Sequence, residues 1–378
     1  MKVVILHAYS ATNSGDGLLV NEALQLIRRV DESAQVVVLA LDPASFEATP
    51  DVQFRHPTTG RGQTPSSARM LIAAARNLAS FSLLHPLSRR LIRSADLVVG
   101  VGGGYMRSNS LLTAVKFALA HLPQLIGARR SRYAVYLPQS IGPMRWGLRG
   151  TVLRALRMLD VVAVRDERSA QLLQSVPSAV RLPDTALLPI KDLKVAPKIG
   201  TGRVGLVARD LGATPRTRAY ESGIRALADE FGASVVAQAT GRGNDDRRFY
   251  AKLGLESSGS LRTALQSDER PSVLVSVRLH GAIESIRAGV PAVHLSYERK
   301  GWGAYEDLGI AEYVHNAFDF DEQLVAEQVE FLRADPTQYW HSVEQAQDRL
   351  RGADALLVKL LQESGEPQLD DVARARKR

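Results

Sequence analysis

The 378-residue sequence predicts an α/β protein in which two Rossmann-like, doubly wound domains face each other across a cleft. Three observations support this fold class. Apolar runs of strand length alternate with amphipathic segments of helix length from the first residues onward. A polar segment with proline and glycine interrupts the alternation at residues 191–201, after which it starts again. Polar and glycine residues follow the predicted strands, where such sheets bind their ligands.

The first half of the chain predicts a parallel sheet with helices on both faces, because buried strands and helices alternate. The predicted strands are residues 3–8, 35–41, 95–101, 133–137 and 161–164. The predicted helices are residues 18–29, 110–122, 148–159 and 167–174. We assign residues 1–190 to this N-terminal domain.

The second half repeats the pattern after the predicted linker at residues 191–201. Its predicted strands are residues 204–208, 235–239, 273–277 and 292–295, and its predicted helices are 218–231 and 282–288. We assign residues 202–320 to this C-terminal domain. Residues 321–378 are expected to form helices over 321–333 and about 338–362, followed by a disordered basic tail.

Composition excludes several classes of protein. With no cysteine, the chain has no disulfide framework, thiolate metal site or cysteine nucleophile. No run of about 18 apolar residues predicts a membrane-spanning helix, and the N-terminus does not resemble a signal peptide. We therefore expect a cytoplasmic protein, with a peripheral position at the inner face of the membrane as a further hypothesis.

Positive charge is concentrated in one block. Residues 52–159 contain 16 lysines and arginines and a single acid, Asp96, within a chain of net charge +8. Such a block could attract nucleic acid, anionic lipid or a phosphorylated substrate. The alternative is an arginine-rich proteome, since 39 of the 48 basic residues are arginine.

Three segments after predicted strands are candidates for binding. The first contains Asn13, Gly15 and Asp16 and leads into a helix, which suits an anion at the helix start; the alternative is a strand-to-helix turn capped by Ser14 or Asp16. The second is the glycine run Gly102, Gly103 and Gly104, where backbone must approach a ligand or another strand closely; we expect the ligand. In the third, Gln139 and Ser140 follow a strand, and Gln139 could bind a sugar hydroxyl, or the segment is only a turn.

Three further segments offer cations. Arg165 directly follows a buried strand. Arg278 and His280 lie two positions apart around a strand-to-helix turn, and together they offer a planar fork and a titratable donor to one anion. Lys300 lies in a cationic cluster over residues 296–301, for which solvated surface is the alternative.

Taken in order, these segments resemble the polysaccharide pyruvyl transferases over about residues 3–310. The matching blocks are Asn13-Ser14-Gly15-Asp16, Gly102–Gly104, Gln139–Pro143, Val164–Ser169, Arg278–Gly281, Gly289–Pro291 and Ser296–Lys300. Pro183–Ala186 matches less well. The sequence departs from the family at residues 106–109, which lack an acidic residue, and at Pro271-Ser272.

The resemblance implies a glycosyltransferase-B-like fold and transfer of pyruvate from phosphoenolpyruvate to two hydroxyls of one sugar, with release of phosphate. The sugar would belong to an exopolysaccharide or a cell-wall glycan, and could be attached to a lipid. The resemblance places Arg165, Arg278, Leu279 and His280 at the phosphoenolpyruvate site, and we add Lys300. We expect residues 1–190 to form the acceptor side and residues 202–320 the phosphoenolpyruvate side. No cofactor and no metal are expected, since arginines can neutralise the donor.

For catalysis, we expect His280 to act as the general acid or to hold the leaving phosphate. Asp16 is the first candidate for the base, before Glu284 and Asp184. Two other functions stay open: a nucleotide-sugar-dependent glycosyltransferase of the same fold, and a non-catalytic protein that binds anions or nucleic acid. We do not expect nucleic acid to be the partner. The sequence does not predict the oligomeric state.

Overall fold

Two parallel sheets flanked by helices form the protein, one from each half of the chain. The computed structural model describes residues 1–78, 82–194, 203–212, 214–241 and 244–365. The predicted α/β class with two doubly wound sheets is confirmed. The predicted linker lies outside the described residues from residue 195 onward, and so does the tail from residue 366.

The first sheet has eight strands, all paired in parallel. They are β1 (Lys2–Ala8), β2 (Gln35–Ala40), β3 (Val52–Arg55), β4 (Leu97–Gly100), β5 (Gly103–Ser108), β6 (Ala134–Met144), β7 (Val161–Val164) and β8 (Ala179–Arg181). Their order is β3-β2-β1-β4-β6-β7-β8, with β5 added beside β6. The carboxyl ends of all eight strands therefore point to the same edge.

Helices cover both faces of this sheet, because successive strand residues point to opposite faces. Ile5 belongs to one hydrophobic cluster and Leu6 to the other. The helices of this half are α1 (Ser14–Val30), α2 (Ser67–Leu78), α3 (Pro86–Ser94), α4 (Leu111–Ala120), α5 (Leu122–Ala128), α6 (Leu148–Leu156) and α7 (Glu167–Leu172). Short 3-10 helices add Pro43–Ser45 and Thr185–Asp192.

The second sheet has five parallel strands in the order β10-β9-β13-β14-β15. These are β9 (Val204–Val207), β10 (Ser234–Val235), β13 (Val273–Ser276), β14 (Ala292–Ser296) and β15 (Val314–Asn316), while β11 (Thr240–Gly241) and β12 (Asn244–Asp245) form a separate ladder. The helices are α8 (Pro215–Phe231), α9 (Asp246–Leu253), α10 (Leu261–Gln266), α11 (Leu279–Arg287), α12 (Arg299–Asp307), α13 (Glu322–Ala334) and α14 (Thr337–Gln362). Short 3-10 helices add Ala311–Tyr313 and Glu363–Gly365.

The long helix α14 returns to the first half of the chain. Arg29 Nη1 lies 2.6 Å from Asp354 Oδ1, and Gln347 donates from Nε2 to the carbonyl of Ile190 at 3.1 Å. The C-terminal helix therefore packs against α1 and the 3-10 helix Thr185–Asp192, a contact that the sequence did not predict.

Two segments predicted as loops are strands. The glycine run enters β5, and β6 continues through Gln139 and Ser140 to Met144. Beyond Gly100, where β4 ends, β5 takes its place beside the longer β6, with Gly103 opposite Gln139. A strand that outlasts its neighbour needs a new partner for its backbone groups, and β5 provides it.

Part of the glycine run is explained by packing between strands and not by a ligand. A Cβ on Gly100 would lie 2.6 Å from the ring of Tyr136, and one on Gly102 would lie 2.8 Å from the carbonyl oxygen of Pro138. Both are too close for any side chain. Gly104 differs, because the nearest atom to its Cβ position is Arg165 Nη2, at 3.9 Å.

Candidate active site

The loops at the carboxyl ends of the two sheets contact each other. Asn13 pairs with Ala239 in an isolated antiparallel bridge, and the amide of Thr240 donates to the carbonyl of Thr12 at 3.4 Å. Helix α1 begins directly after the first of these loops, at Ser14. The segment around Asn13 thus closes one end of the cleft between the sheets.

Gly15 and His280 show how closely the two halves approach. A Cβ on Gly15 would collide with the imidazole ring of His280, so only glycine fits at this position. Asn13 donates from Nδ2 to Asp16 Oδ2 at 2.7 Å. Burial raises the pKa of Asp16, and the neighbouring His280 partly opposes this effect. The structure therefore brings Asn13, Gly15 and Asp16 to His280, as a shared site requires.

Arg165 follows β7 and is almost completely buried. It donates from Nε to Ser140 Oγ at 3.1 Å and forms an ion pair from Nη1 with Asp184 Oδ2. Its amide donates to the carbonyl of Gln139 at 3.2 Å. The guanidinium is fixed by the strand on one side and by a buried carboxylate on the other.

We call the site residues of the first half of the chain, among them Arg165 and Asp184, the first wall of the cleft. The second wall is formed by those of the second half, among them Arg278 and His280. Asp184 connects the two walls. His280 Nε2 lies 3.9 Å from the same Oδ2 that binds Arg165, and the amide of Ala186 donates to Oδ1 at 3.0 Å. Burial would raise the pKa of Asp184, but Arg165 and His280 hold it well below the usual range. Because such a carboxylate takes up a proton poorly, Asp184 fits a holding role better than that of a base.

Arg278 has a carboxylate of its own. Its Nε donates to Asp246 Oδ2 at 2.9 Å, and its Nη2 pairs with Asp246 Oδ1. Asp246 Oδ2 also accepts from the amides of Gln238, at 3.1 Å, and Ala239, at 2.9 Å. The orientation of Arg278 is thus set within the second half of the chain.

The other predicted site residues differ in exposure. Leu279 is buried and belongs to the hydrophobic core. Glu284 is half-buried and accepts from Gln238 Nε2 at 3.3 Å, and burial raises its pKa. Lys300 Nζ lies 3.1 Å from Glu298 Oε2.

Glu298 links Lys300 to the first half of the chain, since Arg107 Nη1 lies 2.6 Å from its Oε1. Burial would raise the pKa of Glu298, but Lys300 and Arg107 lower it to about 2. The carboxylate therefore keeps its charge and holds Lys300 at the edge of the cleft.

Sequence reasoning missed Asp246 and Arg209. Arg209 follows β9, as Arg165 follows β7, and donates from Nη1 to the hydroxyl of Tyr297 at 2.8 Å. Its position after a strand could have identified it. No sequence signal separates Asp246 from an acid in an ordinary first helical turn.

Several buried polar atoms beside the Arg165–Asp184 pair have no hydrogen-bond partner among the described residues. They are Arg165 Nη2, His280 Nε2, both amide atoms of Gln139 and Thr185 Oγ1. Buried polar groups left unpaired cost free energy, and native proteins rarely keep several together without a reason. A polar ligand between the sheets would supply the missing partners.

In the part of the chain that the structure describes, no group of three or more His, Cys, Asp or Glu side chains is arranged to hold a metal ion.

Comparison with known families decides the family. The family model for polysaccharide pyruvyl transferases matches residues 13–299, which include every site residue named above except Lys300. The protein belongs to the polysaccharide pyruvyl transferase family. It is therefore a transferase, and the family implies a sugar acceptor.

Solved structures of similar fold come from other enzymes. UDP-GlcNAc 2-epimerase from Neisseria meningitidis, bound to UDP-GlcNAc, matches with a TM-score of 0.52 and 12% identity over 96% of this chain and 99% of that one. The S. aureus protein MnaA with UDP matches with a TM-score of 0.53 and 12% identity over 96% of each chain. These similarities confirm the glycosyltransferase-B-like fold of this pyruvyl transferase. None of the curated proteins compared with the chain matches it.

Proposed function

We propose that this pyruvyl transferase moves the pyruvate unit of phosphoenolpyruvate onto two hydroxyls of one sugar residue in exopolysaccharide or cell-wall glycan synthesis. The observation that carries the proposal is the set of buried, unpartnered polar atoms at Arg165, His280 and Gln139. Phosphoenolpyruvate carries a carboxylate and a phosphate. These groups can accept hydrogen bonds from the unpaired Nη2 of Arg165 and from the neighbouring imidazole of His280. Gln139 offers both a donor and an acceptor to a sugar hydroxyl.

Binding of the donor would involve both walls. Arg165 presents Nη2 from the first half, and the first-turn amides of α11 favour an anion from the second half. Lys300 adds a cation near Asp16 and His280. Because these groups come from opposite sheets, donor binding would also draw the walls together.

The reaction begins when the methylene carbon of the donor takes a proton, which leaves an oxocarbenium-like centre at the enol carbon. The first sugar hydroxyl attacks this centre and loses its proton to a base. Phosphate then leaves with the electron pair of the C–O bond, and the second hydroxyl attacks and loses its proton. The products are a cyclic ketal and inorganic phosphate.

His280 and Asp16 suit these proton transfers. His280 Nε2 has no hydrogen-bond partner among the residues that the structure describes, and Asp184, 3.9 Å away, compensates the positive charge of a protonated ring. Asp16 lies beside His280, and its raised pKa makes it a better proton acceptor than an ordinary aspartate. We assign proton donation to His280 and proton removal to Asp16, with Glu284 as the second candidate for the base.

The test is an assay with purified full-length protein, phosphoenolpyruvate and a panel of galactose, glucose and mannose glycosides. Released phosphate and a mass shift of one ketal-linked pyruvate should appear together with at least one acceptor. Turnover of UDP-GlcNAc without any turnover of phosphoenolpyruvate would contradict the proposal and favour a nucleotide-sugar glycosyltransferase.

Variants test the residues. His280→Ala should lower kcat/KM by roughly 10²–10⁴, and Asp16→Asn should lower kcat more than it changes KM. His341→Ala, at an exposed histidine of α14, is the matched control and should leave turnover unchanged. Near-normal turnover in His280→Ala would remove the assigned site.

A further inference from the structure

One side of the first domain exposes apolar side chains that an isolated chain should bury. Helices α3, α4, α5 and α6 pack on the same face of the first sheet, and α2 joins them through Asn77, which donates from Nδ2 to the carbonyls of Thr58 and Leu83. On this side we define the arginine–leucine face by its exposed apolar residues: Leu71, Ile72, Leu78, Leu111, Leu112, Val115, Leu119 and Trp146.

Helix α2 is amphipathic but has no apolar core of its own. Its only buried side chain is the polar Asn77. Leu71, Ile72 and Leu78 are each more than half exposed, and Arg69 and Arg76 flank them. An amphipathic helix on a globular protein normally turns its apolar stripe inward, whereas no described residue covers this stripe.

Helix α4 carries apolar side chains both on the side that packs against the sheet and on the side exposed to water. Phe117 packs on the sheet, whereas Leu111, Leu112 and Leu119 are more than half exposed. Among the described residues no single helix is long and apolar enough to cross a membrane, although α4 and α5 together pass that test as a bent pair.

Trp146 extends this exposed surface. Ser108, which precedes α4, bonds through Oγ to both the carbonyl and the amide of Arg145, at 3.0 and 2.7 Å. These bonds hold the exposed Trp146 beside the start of α4. Exposed apolar side chains gathered on one side of a domain are typical of an interaction site.

The positive charge of this side of the domain indicates an anionic partner. The block 52–159 contains 16 basic residues and one acid, Asp96. The carboxylate of Asp96 accepts a hydrogen bond from the amide of Lys2 at 2.8 Å. A cavity of about 620 Å³ between α2 and the start of α3 is lined by Arg61, Arg69 and Arg76, with no acidic residue in its lining. Exposed leucines and a tryptophan among arginines are the pattern of a surface that lies in a lipid headgroup layer.

We propose that the arginine–leucine face docks the protein on an anionic lipid bilayer. The leucines and Trp146 enter the headgroup region, and the arginines, including those of the cavity, bind lipid phosphates. A second copy of the chain is a poor occupant, because self-association would bring two highly basic surfaces together. The docking is independent of the reaction in the cleft, so either proposal can fail without the other.

The experiment is flotation of the full-length protein with vesicles of phosphatidylcholine alone and of phosphatidylcholine mixed with phosphatidylglycerol. Binding should require the anionic lipid and weaken with salt. Leu71→Ser with Leu78→Ser, and separately Arg69→Gln with Arg76→Gln, should each lower the bound fraction about tenfold. Arg225→Gln with Arg262→Gln removes two exposed charges from the second domain and should change nothing.

Trp146 supplies a second readout. Brominated phosphatidylglycerol should quench the fluorescence of the native protein more than that of Trp146→Phe. Unchanged melting temperatures would show that the exposed substitutions leave the fold intact. Flotation equal on neutral vesicles, binding unaffected by the leucine pair, or a concentration-dependent dimer that the leucine pair abolishes would overturn the proposal.

Discussion

The two walls of the cleft each fix a strand-end arginine with a buried aspartate, but in different ways. On the first wall, Asp184 binds Arg165 and also faces His280 across the cleft, and Arg165 Nη2 keeps an open position. On the second wall, Asp246 binds Arg278 through both oxygens and also accepts from two backbone amides. The same residue pair is thus open to a ligand on one wall and mainly structural on the other.

This difference distinguishes two roles of a buried arginine, one structural and one in ligand binding. An arginine whose fork is filled by a carboxylate shapes the wall, whereas one with a free donor can bind substrate. The first wall therefore supplies the open guanidinium of the proposed donor site, and the second wall supplies His280, Lys300 and the ion pair that fixes Arg278.

The largest effect is expected from Asp246→Ala. The substitution leaves Arg278 and the amides of Gln238 and Ala239 without their acceptor, which should lower the free energy of unfolding by about 3–5 kcal/mol. Denaturant titration measures the loss. Asp348→Ala, at an exposed ion pair of α14, is the matched control and should stay within about 0.5 kcal/mol. If both variants unfolded alike, the structural role of the second wall would be refuted. By the same reasoning Arg278→Ala should destabilise the fold in addition to weakening binding at the proposed donor site.

Buried histidines should make stability depend on pH in both halves of the chain. Burial lowers the pKa values of His121, in the first half, and His294, in β14, to about 4. Between pH 4 and 6.5 the unfolded chain binds more protons, so stability should fall as the pH drops through this range, by about 3 kcal/mol for each histidine.

Unfolding free energies measured across this range check the expectation, with His294→Asn reducing the slope. His341→Asn, which changes an exposed histidine, should leave the slope as it is. Because burial also raises the pKa of Asp307 to about 6, which opposes this trend, the variant decides: a slope left unchanged in His294→Asn would show that His294 is not buried in the neutral form.

Arg165→Lys tests the open wall directly. Lysine keeps the positive charge but lacks the planar set of donors that the guanidinium offers. The binding free energy for phosphoenolpyruvate should therefore weaken by about 1.5–3 kcal/mol, which lowers the affinity roughly 10- to 150-fold. Arg278→Lys should weaken binding less, because Asp246 already occupies that guanidinium. Calorimetric titration at a temperature where both variants are folded measures the two constants, and a reversed order would exchange the roles of the walls.

The smallest effect belongs to the exposed pair across the cleft edge. Arg107 and Glu298 are partly open to water, so Arg107→Gln should cost only about 0.2–1 kcal/mol and less at high salt. Denaturant titration at two salt concentrations checks this. A salt-independent loss of several kcal/mol would mean that this pair resembles the buried ones.

Much of the fold was predictable, because hydrophobic periodicity is a local property. The strands at 161–164 and 273–277 were placed to within a residue of β7 and β13. The glycine run and Gln139 were misplaced in loops, because the pairing of β5 with the extended β6 joins segments about 35 residues apart. Periodicity cannot show which strand replaces β4 beside β6.

The sequence by itself determined the alternation of strands and helices in both halves, the position of Arg165, Arg278 and His280 after strands, and the basic block with its single acid. Only the tertiary structure decided that Asp184 is shared by Arg165 and His280, that Asp246 holds Arg278, and that the leucines of α2 remain in water. The reason is that burial and ion pairing depend on which distant segments meet, whereas helix and strand formation depend on the spacing of neighbouring residues.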